Sequence, residues 1–460
     1  MRLLVVGADA AGMSAAHQAR RTARRAGRDL EVVACESGQF TSYSQCGIPY
    51  WVAGEVSGRD ALIARTPDDH RAAGIDLRLG HEVTGLDLAA GRAEAYDALN
   101  SQVVEIGFDE VLLATGAAPI IPDWALADGQ TRPGVLTLKT LDDGHLLREV
   151  IERQPASAAI VGGGYIGVEA AEALARRGVP TTLLSRRRPL AAMTVPEQSE
   201  RVVAGLEELG VQVRTHCEVI GLESAGQGHV LVDAQDNRIS AELVVLALGV
   251  QPRTGLAVEA GLPVASKADF LARGALVPDD RQHLADGVWA AGDCCAVYHR
   301  LAEQPAYLPL GTHANKAGRV AGTNIGGGLA RFPGAVGTAI TRAGRVEVSR
   351  TGMQPEWVEH LGGTPITATL DATTTSGYMP ESEPMHLWAM GDEQTGRLLG
   401  CQITGGTGAG KRIDAVAVAL MAGWSCEEFA MADLSYAPPF SPAWEPTQIV
   451  VRKLAERVGR

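Results

Sequence analysis

The stretch Ala158 to Pro189, AAIVGGGYIGVEAAEALARRGVPTTLLSRRRP, decides the fold. Four apolar residues, Ala158 to Val161, make a buried strand, and Gly162, Gly164 and Gly167 follow at G-x-G-x-x-G spacing. An amphipathic helix then runs to Gly178, and a second apolar strand, Thr181 to Leu184, closes the unit. Each glycine has its own task. The first allows a tight turn, the second lets the backbone approach a pyrophosphate, and the third lets helix and strand pack closely. The pyrophosphate then meets the helix N-terminus, where Tyr165 and Ile166 stand. At the end of the unit, an acidic residue would accept from a ribose hydroxyl. Here Ser185 takes that place and Arg186, Arg187 and Arg188 follow, a set that pairs with a 2′-phosphate and favours NADPH over NADH.

A second unit of the same design opens the chain. LLVVGADAAGMSAAHQARRTARR, from Leu3 to Arg25, is a strand, a Gly-rich turn and a helix, and LEVVACE adds a strand ending in Glu36. Gly7 makes the turn, Ala11 and Gly12 let the helix close on the strand, and Glu36 can accept from a ribose hydroxyl. One residue departs from the pattern: the middle glycine is Asp9. Two further segments, EVLLATGAAP (110–119) and ELVVLALGVQP (242–252), each run a buried strand into a glycine turn, at Thr115-Gly116 and at Gly249. GVWAAGDCCAV (287–297) places Gly292 and Asp293 at a turn after a strand, where a carboxylate can bind a ribityl hydroxyl. Together the four signals describe an α/β protein with two Rossmann-like dinucleotide-binding units, and they look like the segments by which two-dinucleotide flavoproteins bind FAD and NAD(P) and cross between domains.

Composition bounds the alternatives. The 460 residues, 46% of them hydrophobic and 21% charged, suffice for about three domains with a sizeable core. A net charge of -13 argues against a general nucleic-acid or anionic-membrane binder. Met1-Arg2 leads straight into the first strand, with no signal-peptide pattern and no long apolar span, so a soluble cytoplasmic protein is expected. The seven cysteines show neither C-x-x-C nor C-x-x-x-x-C spacing, which suits a reducing compartment and gives no metal site. Cys294 and Cys295 are adjacent, where a bridge would be strained.

With these motifs in hand, the sequence resembles the pyridine nucleotide-disulfide oxidoreductase superfamily over its whole length. The resemblance implies an FAD-binding domain (1–117 and 254–328), an inserted NAD(P)-binding domain (118–253) and a C-terminal α+β dimerisation domain (329–460). The segment TSYSQCGIPY (41–50) holds a lone cysteine, Cys46, and is similar to the active-site segment of the single-cysteine branch. That branch contains the coenzyme A-disulfide reductases, persulfide reductases and NADH oxidases and peroxidases. GAGKRIDAVAVAL (408–420) and LSYAPPFSPAWEP (434–446) resemble motifs of the coenzyme A-disulfide reductase dimerisation domain.

The resemblance implies roles by position. Tyr436 and Tyr378, donated across a homodimer interface, would assist Cys46, and Ser14, Gln18, Arg21, Ser42, Gln45 and His313 would line the substrate site. Oxidase and peroxidase relatives carry a histidine in the first Gly-rich loop, where this chain has Ala10, which argues against peroxide chemistry. Trp444 and Met379 depart from the family pattern at the mouth of the site and leave the identity of the thiol open.

A lone cysteine can take its partner sulfur from a small-molecule disulfide or persulfide, or it can cycle through a sulfenic acid. Its thiolate must form, and a helix starting at Gly47-Ile48-Pro49 would lower the thiol pKa. The favoured expectation is reduction of a coenzyme A-type disulfide or persulfide by NADPH through FAD and Cys46. The alternatives are an NAD(P)H oxidase and a flavoprotein that serves electron transfer or partner binding.

Overall fold

The computed structural model describes residues 1–226 and 228–458. Three sheets organise the chain. The first has six strands in the order His283–Ala285, Val288–Ala290, Glu110–Leu113, Arg2–Val6, Glu31–Glu36, Ile75–Leu79, all parallel except the hairpin at its edge. Its central strand is a continuous apolar run with Leu3, Leu4 and Val5 fully buried, as a strand covered on both faces requires. Helices Ala10–Arg25 and Gly311–Ile325 cover one face, and the antiparallel strands His81–Asp87, Arg92–Asp97 and Gln102–Gly107 cover the other.

The two helices meet at unusually short range. Gly318, Gly322 and Gly326 recur every four residues and face the backbone of Ala11, Ala15 and Ala19. A methyl group at Gly318 or Gly322 would lie 2.2 Å from a carbonyl oxygen of the opposite helix. Small residues at this spacing set the crossing distance.

The second sheet has five parallel strands in the order Val135–Thr137, Leu243–Leu246, Ala158–Val161, Thr181–Leu184, Gln212–Arg214. Helices Leu141–Glu152, Tyr165–Arg176 and Pro196–Glu208 pack on one side of it, and a three-stranded antiparallel sheet (strands within 219–241) lies on the other. The chain passes between the first two sheets along one antiparallel ribbon, Ala117–Pro119 with Val250–Pro252. Thr115 and Gly116 brace this crossing: the Thr115 hydroxyl donates to the Arg253 carbonyl at 2.6 Å, and the Gly116 carbonyl accepts from Arg253 N. Gly249 accepts from Ile120 N at 3.0 Å.

The third sheet is antiparallel, in the order Ala339–Ala343, Val346–Gly352, Leu398–Gly405, Pro384–Asp392, Pro365–Thr373. Helices Ile413–Ala422, Cys426–Ala430 and Pro446–Ala455 pack on it in one apolar cluster that includes Phe429, Leu387 and Val450. No helix among the described residues is long and apolar enough to cross a membrane.

Candidate active site

Both Gly-rich turns take the geometry their glycines permit. Gly7 (φ +98°) and Gly162 (φ +117°) are left-handed, and a side chain at either would strike the carbonyl of the neighbouring strand end at 2.2 Å. Gly12 and Gly167 sit against the carbonyls of Gly7 and Gly162, at 1.9 and 1.8 Å from where a Cβ would stand. Gly164, in contrast, faces open space, and the helix it caps has no side-chain cap. Its terminal N–H groups are therefore free for a pyrophosphate, so the second turn fits a dinucleotide.

The first turn fits one too, despite Asp9. That carboxylate does not cap its own helix. Its Oδ1 accepts from Tyr43 N at 3.2 Å and its Oδ2 from Gln45 Nε2 at 3.3 Å. The helix N-terminus stays open beside Ala11 and Gly12. Glu36 accepts from Ala8 N at 2.8 Å and from Gly38 N at 3.0 Å, which fixes its carboxylate at the end of the second strand beside the turn. Gly292 (φ +93°) packs against Ala11, and Asp293 follows it with one oxygen 3.4 Å from Lys139 Nζ.

At the end of the second unit, Ser185 is buried with its side chain against Gly163. Arg186 and Arg187 are exposed; Arg186 lies 3.6 Å from Glu218 and Arg188 lies 3.4 Å from Glu200. Such exposed pairs are weak and give way to a phosphate at little cost. Tyr165 and Ile166 begin the helix, and both are half-buried against the core of the second unit. Burial pushes the Tyr165 phenol up to about 12, so it stays protonated at neutral pH.

Cys46 lies in a short 3₁₀ turn, Gln45–Gly47, that leads into helix Ile48–Ala53. It is the one exposed cysteine among the described residues, and the other six are buried and free. The expected lowering of its thiol pKa by a helix N-terminus is not what the structure gives. The following helix has only six residues, and the thiol is pushed up, first by the protein packed around it and next by Glu169. Lys139 pulls the other way. Although the residue has solvent-accessible surface, one side of the sulfur is crowded, and that side sets the direction.

Glu169 comes from helix Tyr165–Arg176 and is itself pushed up to about 7, chiefly by burial and then, after the Thr341 hydrogen bond has pulled it down, by Glu172. The Thr341 hydroxyl donates to it at 2.8 Å. Arg342, on the first strand of the third sheet, ion-pairs with Glu55 and Glu172 and lies over the Tyr50 ring at 5.1 Å. One guanidinium thus joins all three sheet units around the helix that follows Cys46.

The family resemblance also implies a substrate face, and the structure groups part of it. Ser14, Gln18 and Arg21 share one face of helix Ala10–Arg25, since they are four and three residues apart. The Ser14 hydroxyl donates to Asn315 at 2.8 Å, Gln18 donates to Thr22 at 3.1 Å, and Arg21 is exposed. Arg20 belongs to the fold instead, donating to the Leu30 carbonyl at 3.0 Å. His17 and His70 meet beside this face at 2.8 Å. Ser42 takes a left-handed backbone (φ +49°) just before the thiol turn, and Gln45 is held between Asp9 and Lys139. His313 is buried, with Nδ1 at 3.1 Å from the Leu308 carbonyl, and burial pushes its pKa down so that it stays neutral.

Tyr378 and Tyr436 sit on the third unit, 75% and 51% exposed, on two segments that the structure ties together. Ser376 N donates to the Pro438 carbonyl at 3.0 Å. Arg412 anchors both segments, donating to the carbonyls of Thr374 and Phe440 and pairing with Glu445. Met379 N donates to the Ser376 carbonyl, while Trp444 is half-exposed with Arg452 over its ring at 5.0 Å.

Two family models account for this arrangement. The model described as pyridine nucleotide-disulphide oxidoreductase matches residues 1–318, more than half of the chain. The chain belongs to the pyridine nucleotide-disulphide oxidoreductase family. The dimerisation-domain model of that family matches residues 339–447. A relative from Pyrococcus horikoshii, named NAD(P)H coenzyme A polysulfide/persulfide reductase, is 32% identical over 98% of each chain. The solved structure of an NAD-dependent persulfide reductase from A. fulgidus has a TM-score of 0.91 at 29% identity, covering 99% of this chain and 83% of that one. Reduced CoADR-RHD of Bacillus anthracis also gives 0.91, at 26% identity over 99% and 80%. As a member of this oxidoreductase family the protein is an FAD-dependent NAD(P)H oxidoreductase, similar to the coenzyme A-disulfide reductases.

Several residues of the site lie outside the motifs that sequence reading uses. Lys139 precedes the capping-box residue Thr140 and carries no local mark of a role at Cys46. Glu169 lies inside the second Gly-rich unit, and its position two residues past Gly167 was the available signal. Arg342 and Arg412 act through partners hundreds of residues or tens of residues away, and no spacing announces them.

Proposed function

We propose that this protein uses NADPH to reduce a coenzyme A-type disulfide or persulfide through Cys46. The observation that carries the reading is the solitary, exposed Cys46 with every other cysteine buried: the second sulfur of the exchange must arrive with the substrate. The Cys46 thiolate attacks one sulfur of the incoming disulfide, the S–S bond breaks, and the departing thiolate takes a proton. Two electrons and a proton then cleave the mixed disulfide, releasing the second thiol and restoring Cys46. Bound FAD supplies those electrons, received as a hydride from NADPH.

The chain's own groups position each partner. Gly7, Ala11, Gly12, Glu36, Thr115, Gly116, Gly292 and Asp293 hold FAD; Gly162, Gly164, Tyr165, Ile166, Gly167, Ser185, Arg186, Arg187 and Gly249 hold NADPH. Arg186 and Arg187 are exposed and meet the 2′-phosphate. Ser14, Gln18, Arg21, Ser42, Gln45 and His313 receive the thiol substrate. Tyr436 and Tyr378 reach the site from the second copy of a homodimer, where a phenol protonates the departing sulfur. Their exposure in one protomer and their shared anchor at Arg412 support this. In this reading the chain divides into an FAD domain (1–117 and 254–328), an NAD(P) domain (118–253) and a dimerisation domain (329–460), a division that the separate sheets and the crossing ribbon support. Seven free cysteines suit a cytoplasmic setting.

The test is anaerobic NADPH consumption. Coenzyme A disulfide should stimulate it, and Cys46→Ser should abolish it while FAD stays bound. Full turnover by Cys46→Ser, or turnover driven by oxygen with no response to the disulfide, would sink the proposal.

A further inference from the structure

The glycine missing from the first Gly-rich turn has a consequence for the thiol. Asp9 stands where a glycine normally gives clearance to a pyrophosphate, and its carboxylate accepts hydrogen bonds from residues 43 and 45. The Thr41 hydroxyl also donates to the Ala8 carbonyl, so the two neighbouring residues of the turn hold both ends of this short segment. Between those anchors Ser42 is left-handed (φ +49°), a conformation that costs a non-glycine residue energy and persists only when its surroundings over-determine it. Ala64 N to the Ser42 carbonyl and Ser44 N to the Leu62 carbonyl, both 2.8 Å, complete the hold.

The chain of contacts continues past the segment. Gln45 spends its amide nitrogen on Asp9 and so must present its oxygen to Lys139 Nζ at 3.2 Å. Lys139 is 16% exposed and also faces Asp293 at 3.4 Å. It is the cation that favours the Cys46 thiolate. An amide has one donor end and one acceptor end, so whatever Asp9 offers decides which end of Gln45 meets the ammonium.

We propose that Asp9 is a positioning residue for the reacting sulfur: its carboxylate pins the strained segment before Cys46 and orients Gln45 so that Lys139 is held against the turn that carries the thiol. This rests on the reading of Cys46 as the reacting group. The groups facing Asp9 are Glu36 from the second strand, Lys139 from the loop before Thr140, Asp293 from the turn after Val288–Ala290, and the Tyr43 amide. Burial and then Glu36 push the carboxyl up to about 7, with the Tyr43 amide and Lys139 opposing. The hold is therefore strongest above neutrality and weakens as pH falls and the carboxyl gains its proton.

The test is alkylation of Cys46 by iodoacetamide in the reduced holoenzyme, read site by site by mass spectrometry. It needs no disulfide acceptor, so it fails or succeeds independently of which disulfide is the substrate. Asp9→Asn presents an N–H to Gln45 and inverts its amide; Asp9→Gly removes the anchor altogether. Alkylation follows the thiolate fraction, and loss of a charge-assisted contact to the cation should slow it about tenfold at pH 7 in both variants. The difference should narrow once the pH passes the pKa of the wild-type thiol. Gln45→Ala should show the same loss and should add nothing to Asp9→Asn. FAD content should equal that of the wild type. Unchanged alkylation at pH 7, or additive losses in the double variant, would each overturn the assignment.

Discussion

Replacing Gly322 by alanine tests the packing that aims the first Gly-rich turn. The added methyl would lie 2.2 Å from the Ala15 carbonyl oxygen and 2.9 Å from its carbon and Cα, all backbone atoms of helix Ala10–Arg25. Ordinary contact begins near 3.4 Å, so the helices must part by 3.4 − 2.2, about 1.2 Å, since backbone cannot swing aside as a side-chain tip can. Overpacking of this kind costs about 1–3 kcal/mol, and alanine's better helix propensity returns about 1 kcal/mol. The net loss of stability is thus at most about 2 kcal/mol, a shift of a few degrees in the melting temperature of a unit this size. The displacement itself is not offset. Helix Ala10–Arg25 begins at the turn proposed to hold FAD, and a shift of an ångström there would degrade hydrogen bonds to the pyrophosphate. Gly322→Ala should bind FAD at least about tenfold more weakly, as expected for the loss of one hydrogen bond to a charged group. Fluorescence titration of the apoprotein with FAD and thermal unfolding with and without excess FAD measure both effects. Wild-type affinity together with a wild-type melting temperature would refute the close crossing.

Three further outcomes follow from other parts of the structure. Arg412→Ala leaves the Glu445 carboxylate, 11% exposed, without its partner, which costs about 3–5 kcal/mol for a buried pair; the segments carrying Tyr378 and Tyr436 should loosen, so disulfide turnover should fall at least tenfold while flavin reduction by NADPH keeps its rate. Arg186→Ala should raise the KM for NADPH about tenfold or more, by loss of a charge-assisted contact, and leave that for NADH unchanged; steady-state kinetics with both nucleotides decide it. Glu169 has a folded-state pKa of about 7, above its ordinary 4.5, so the folded state binds more protons between those values and stability falls as pH rises through that window. Glu169→Gln keeps an acceptor for Thr341 and should stabilise the protein at pH 8 by up to about 3 kcal/mol, read as a higher melting temperature, but not at pH 4.5; equal effects at both pH values would count against the buried charge.

The parts of the fold that sequence made legible are those whose cause is local. Gly7 and Gly162 need left-handed backbone, and Gly12 and Gly167 need missing side chains, so both dinucleotide units could be read from spacing alone. The crossing ribbon at Ala117–Pro119 was visible because each of its strands follows a buried apolar run into a glycine turn. The glycine stripe at 318, 322 and 326 was equally present in the sequence, but small residues at helical spacing acquire meaning only opposite a partner helix. The direction of the Cys46 shift is not legible in the sequence because it depends first on the protein packed around the thiol, then on Glu169, 123 residues away (169 − 46), while the following helix stops after six residues. Lys139 and Arg342 are hidden for the same reason, since each draws its role from contacts between units, and Arg412 draws its role from segments 28 to 38 residues away within the third unit. Asp9 was noticed as a departure, and only the position of Tyr43 and Gln45 in space gave the departure a use.

The most direct test of the central claim is the intact mass of the protein after coenzyme A disulfide is added in the absence of NADPH, followed by peptide mapping. The account predicts one coenzyme A adduct per chain, carried by Cys46, lost on addition of NADPH and absent from Cys46→Ser. An adduct on any other cysteine, or NADPH-driven turnover of the disulfide in Cys46→Ser, would contradict it.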